Sequence, residues 1–70
     1  MDSTFWSILK KLIGLSVRVY VDDFSFHGKL TDLEPHYLTL ASCVVESGTT
    51  THTIGITYIP LRKVQAVSRQ

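Results

Sequence analysis

The sequence holds one cysteine, Cys43, inside the apolar run Leu38 to Val45, and a lone thiol cannot close an intramolecular disulfide. A reducing, cytoplasmic location is the expectation. No apolar stretch approaches the ~20 residues that span a bilayer. The chain opens Met-Asp-Ser-Thr with lysines at positions 10 and 11, the reverse of a secretion signal's basic start and apolar middle. Secretion and a membrane partner are both disfavoured. Charge of one sign is missing too: seven Lys/Arg against six Asp/Glu leave a formal +1, so any contact with nucleic acid has to be local.

Catalytic signatures are equally scarce. His27, His36, His52 and Cys43 include no pair at C-x₂-C or H-x₃-H spacing, so no metal site is expected and they read as separate surface histidines and a buried thiol. No serine stands in a G-x-S-x-G elbow, and Gly14, Gly28, Gly48 and Gly55 lie too far apart to form a phosphate-cradling loop. Asp22-Asp23 is explained by a hairpin turn rather than a carboxylate pair. Neither enzymatic activity nor a cofactor is expected.

What the sequence does contain is pattern. Hydrophobic residues make up 44% of the chain and charged residues 19%, the balance of a globular domain, and seventy residues suffice for one such domain over 1–70. A core this small gains from partners, which makes self-association an early expectation. Phe5, Ile8, Leu9, Leu12 and Ile13 share one helical face, predicting a helix over about 3–13. Asp2, Ser3 or Thr4 would cap its start, Lys10 and Lys11 would complement its dipole, and Gly14 would end it. Such a helix is short for a membrane surface and suits packing over the open end of a barrel.

After Gly14 the period falls to two. Val17, Val19 and Val21 alternate with Ser16, Arg18 and Tyr20, and Phe26, Gly28 and Leu30 alternate with His27, Lys29 and Thr31. Strands are predicted at about 16–22, 25–33, 37–46, 52–59 and 63–68, with polar or proline-marked turns between them. Gly28 and Gly55 fall inside strands, where a glycine marks a bend or a close backbone approach. The fold class is mostly β: an N-terminal α-helix and a strongly bent five-stranded antiparallel barrel of the SH3-like kind.

The segment Val17 to Leu30, with its alternating apolar residues, acidic turn and Gly28-Lys29-Leu30, resembles the first half of the Sm1 motif of the Sm/LSm/Hfq family. The spacing from Gly28 to Leu40 is closest to the bacterial Hfq-type version. Tyr58 to Val67 resembles the strand, tight turn and last strand that close this barrel, although both motifs are degenerate. The resemblance implies a homo-oligomeric ring, hexamer or heptamer, in which the fourth strand of one copy pairs with the fifth of the next. Ile54, Ile56, Tyr58, Val64, Ala66 and Val67 would then form the interface. It also implies binding of single-stranded RNA between the loop before the third strand and the turn before the fifth. Carried over by position, Glu34 holds an acidic loop position, His36 that of a base-stacking aromatic, and Arg62 with Lys63 the basic positions; Tyr37 stands nearest the uracil-reading Asn, which is missing. Ile54-Gly55 replaces the second motif's Arg-Gly, Pro35 a polar residue and Leu61 a lysine, so the RNA pocket is non-standard. Two other readings stay open: the ring as a protein-interaction scaffold without RNA, and a monomeric SH3-like adaptor.

Overall fold

Alternation of apolar and polar residues from Ser16 to Val21 leaves Val17 and Val19 with no solvent exposure, and the same logic buries Leu30, Leu38, Leu40 and Cys43 completely. The computed structural model describes residues 3–70. It comprises helix α1 (Ser3–Lys11) and strands β1 (Ser16–Val21), β2 (Phe24–Leu33), β3 (Tyr37–Ser47), β4 (Thr50–Pro60) and β5 (Ala66–Arg69), with a 3₁₀ turn, Leu61–Lys63, before the last strand. The strands form one antiparallel sheet in the order β4-β3-β2-β1-β5. The expected fold class is therefore the one observed, a helix and a strongly bent five-stranded sheet. Among the described residues no ladder joins β4 to β5, so each leaves one edge unpaired.

The bend has an identifiable origin. Register shifts interrupt β2 against β3 between His27 and Lys29, and β3 against β4 around Cys43, so the irregularities lie side by side across three strands. At Gly28 a Cβ would come within 2.8 Å of the Ala41 carbonyl oxygen and 3.3 Å of the Cys43 Cα, a close approach only glycine permits. Gly55, opposite Cys43, takes φ +75°, which an L side chain adopts only at a cost. Both glycines thus do what their mid-strand positions implied. Ser42, at φ +52°, completes the belt without any sign of it in the sequence. Gly28→Ala is expected to destabilise the fold by about 1–3 kcal/mol, because backbone on β3 must move. Gly55→Ala, with no atom within 4 Å of the added methyl, should cost only the backbone strain of about 1–2 kcal/mol. Urea titration of the two variants checks that order.

Helix α1 ends earlier than 13. The N–H groups of Leu12 and Ile13 donate to the carbonyls of Leu9 and Lys10, tightening the last turn, and Gly14 turns the chain at φ +91°. Leu9 is fully buried, and Phe5, Trp6 and Leu12 pack on the core, so α1 lies on the sheet as expected. The buried stripe is nonetheless displaced. Trp6 packs on the core where Ile8 does not, and Ile13 lies beyond the last helical residue; both isoleucines are about half exposed. The N-cap candidate Asp2 lies outside the described residues.

The fifth strand begins at Ala66 rather than Lys63. Leu61 inserts into the core after Pro60, and its N–H donates to the His36 carbonyl, which commits Leu61–Lys63 to a turn. Val64, expected in the strand, therefore precedes it. His27, expected as an isolated surface histidine, is mostly buried in a network. Its Nδ1 accepts from Arg18 Nη2 at 3.2 Å and from Gln70 Nε2 at 2.9 Å, which leaves the proton on Nε2 to face Glu46 Oε1. β1, β2, β3 and the end of the chain are tied together there. None of the described helices is long and apolar enough to cross a membrane.

Candidate functional site

Two turns meet at the helix end of the sheet. Pro35 and His36 form the connection into β3, closed by the Glu34 N–H donating to the Tyr37 carbonyl at 2.9 Å. Pro60 stops β4 and leads into the 3₁₀ turn, where the Val64 N–H donates back to the Leu61 carbonyl at 3.1 Å. The two are joined by the Leu61 N–H donating to the His36 carbonyl at 2.9 Å. Neither turn is free to drift from the other.

Between them opens a cavity of about 560 Å³, within the range of small-ligand sites. His36 and Arg62, far apart in sequence, both line it. The remaining walls are apolar: Pro35, Pro60, Leu61, Val64 and, from α1, Phe5. Among the described residues neither Arg62 nor Lys63 has an ion-pair partner, so both cations are available. A cation and an imidazole at the mouth of a largely apolar cleft can stack on a flat heterocycle and hold an anion beside it.

The other expected site residues fall elsewhere. Tyr37 does not line the cavity; it packs edge-on against Tyr58, ring centroids 5.9 Å apart at 75°. Lys63 is exposed on the same turn as Arg62 but outside the lining. Glu34 is half-buried at the loop's base and also outside it. Val64, expected at the interface, is also part of the cavity lining. Phe5 is the wall residue that sequence reasoning missed: its place on the apolar helix face was visible, but not that α1 brings it beside His36.

The six expected interface positions occupy the two free edges or the turn between them. Ile54 is 43% exposed, and Ile56 and Tyr58 are each 66% exposed, an apolar row along β4. Ala66 is exposed and Val67 half-buried on β5. Exposed apolar residues on an unpaired strand are an aggregation hazard unless something covers them.

Cys43 offers no reactive thiol. Burial raises its pKa, offset in part by a hydrogen bond with the Thr57 side chain and by one with the His27 backbone, so it stays protonated near neutrality. Among the described residues no three His, Cys, Asp or Glu side chains gather where they could hold a metal ion.

No protein-family model matches the sequence, and a search of curated proteins finds no match. Solved structures do match. The SmAP1 heptamer of P. aerophilum superposes with a TM-score of 0.84 at 21% identity, over 100% of this chain and 97% of that one. The Pyrococcus abyssii Sm protein in complex with a uridine heptamer gives a TM-score of 0.82 at 20% identity, over 93% and 96%. A chain of the NatC complex bound to CoA gives 0.80 at 22% identity, over 89% and 83%. The chain has the Sm fold. These likenesses concern the fold and do not bear on the Hfq-type spacing.

Proposed function

We propose that this chain is one domain that assembles edge to edge into a homo-oligomeric ring of six or seven copies and binds single-stranded RNA at the His36–Arg62 cavity. The observation that carries the reading is the convergence of His36 and Arg62 on one apolar-walled cavity beside two unpaired strand edges. β4 of one copy and β5 of the next would cover each other's free N–H and C=O groups and the Ile54, Ile56 and Tyr58 row. His36 would stack on a base and Arg62 hold phosphate or a base edge, with Lys63 adding charge at the rim. A net charge of +1 per chain gives little attraction alone, but repetition around a ring raises it through avidity. The similar fold of the archaeal protein bound to a uridine heptamer supports this use of the scaffold. The role is binding rather than catalysis, and no cofactor is invoked.

The test is binding of short U-rich and A-rich RNAs at low and moderate salt. Wild type should bind with an affinity that falls as salt rises. His36→Ala should weaken it by about 1–3 kcal/mol per stacked base. No salt-sensitive binding at micromolar protein would reject the RNA part.

The exposed apolar row on β4, and the occurrence of the fold in a chain of the NatC complex, favour a second reading: a protein-interaction scaffold without RNA. The ultraviolet spectrum of protein purified from cells separates the two. Absorbance from nucleic acid that persists through purification counts against the scaffold, and a spectrum of protein alone counts for it.

A further inference from the structure

The lining of the cavity is unbalanced in hydrogen-bonding sense. Among its described side chains only His36 and Arg62 carry polar atoms. Arg62 has donors alone, and a neutral His36 offers one donor and one acceptor. Pro35 and Pro60 bring no N–H, and the carbonyls of His36 and Leu61 already accept from Leu61 and Val64. Among the described residues the wall holds no carboxylate and no carboxamide. A ligand that presents acceptors to Arg62 and lays an apolar face against the remaining side chains is therefore favoured.

We infer that, given RNA binding at this site, the cavity prefers guanine, read on its O6/N7 edge by the Arg62 guanidinium, with Phe5 of α1 as a stacking wall. Guanine carries two adjacent acceptors on that edge, which match the fork of an arginine in a bidentate pair. Adenine sets a donor, N6, beside N7 and opposes the fork. Uracil places its N3–H between its two carbonyls, so it offers no pair of adjacent acceptors to the fork. Cytosine offers adjacent acceptors at O2 and N3, but on one ring, with less face to lay against an apolar wall. Single-stranded RNA leaves these edges free for reading. A volume of about 560 Å³ leaves room for a purine. Phe5 is half-buried on the helix and faces the cavity with Pro35 and His36, so a base inserted there meets an aromatic from α1 as well as the imidazole of the loop.

The experiment compares fluorescently labelled U-tract RNAs of equal length that carry one central G, A or C, and U alone. The G-containing strand should bind on the order of tenfold more tightly than the others, the discrimination of one bidentate pair. Replacing its guanosine with 7-deazaguanosine, which puts carbon at N7, should abolish the gain. Arg62→Lys keeps the charge but loses the fork, so it should retain the salt dependence and lose the preference. Phe5→Leu keeps apolar bulk, and should weaken all four RNAs alike while the preference persists. Equal affinity for the four strands, or a preference that survives 7-deazaguanosine, overturns the inference and leaves RNA binding intact. Failure of every RNA to bind overturns both.

Discussion

Under the ring reading, Tyr58→Pro is expected to give a folded monomer of 7.9 kDa, where wild type should show six or seven times that mass by native mass spectrometry. The reason lies in the alternation of backbone groups along β4. The Leu61 N–H points at β3, since it donates to the His36 carbonyl. Ile59 pairs with Leu38 and Thr57 with Leu40 in unbroken register, so their N–H groups also face β3. Tyr58, between them, therefore turns its N–H to the open edge, as does position 60, where a proline already stands. Proline at 58 spares the β3 ladder and removes the donor that a neighbouring β5 would accept.

Each seam then leaves a carbonyl of the adjacent copy unpaired, a penalty of about 1–3 kcal/mol repeated at every interface of a closed ring. Tyr58→Ser separates backbone from side chain: it keeps the N–H, loses the ring against Tyr37, and should weaken assembly without abolishing it. Circular dichroism should show the same strand content in all three proteins. Full-size assemblies of Tyr58→Pro would place the interface elsewhere, and a wild-type monomer would remove the ring.

What could be read from the sequence follows from how local each feature's cause is. Gly28 and Gly55 stand where an alternating pattern should carry side chains, and that mismatch marks a bend without knowledge of the partner strand. Ser42 performs a similar conformational task, yet a serine between Ala41 and Cys43 looks like an ordinary strand residue. Its positive φ falls where β3 shifts register against β4, a pairing that nothing local announces. The helix stripe is legible as apolar but not in its rotation, because the weight of Trp6 depends on the surface α1 meets. The start of β5 is hidden for a related reason. Leu61 is pulled inward by a core and a carbonyl that come from β3 and the loop before it.

The site shows the same division. His36 and Arg62 are placed by resemblance, position by position, and they share a cavity. Tyr37 and Lys63 are placed by the same reasoning and do not, because strand and turn geometry sends immediate neighbours in different directions. Phe5 comes from an element whose apolar face the periodicity assigns wholly to the core. A face that covers the end of a barrel also borders the loops there, and half-burial is what that border looks like.

Arg62 and Lys63 adjoin in sequence, and the RNA reading separates them sharply. Arg62→Ala is expected to lower affinity for RNA by on the order of 100-fold or more, while Lys63→Ala should cost little at low salt. Arg62 lines the cavity, so its removal takes away a charge-assisted hydrogen bond made inside an apolar wall, about 1.5–3 kcal/mol in a single site. An RNA threading several copies of a ring forfeits that amount at each one, and the reductions multiply as affinities. Lys63 lies outside the lining and in solvent, where its charge is screened and its attraction to phosphate carries no geometric demand. Its removal should chiefly flatten the dependence of log affinity on log salt, by somewhat less than one unit for each phosphate that Lys63 neutralises. Binding isotherms at low, moderate and high salt distinguish these outcomes. Equal reductions for the two variants would mean that RNA senses only the charge of the turn, and the cavity between His36 and Arg62 would lose its role.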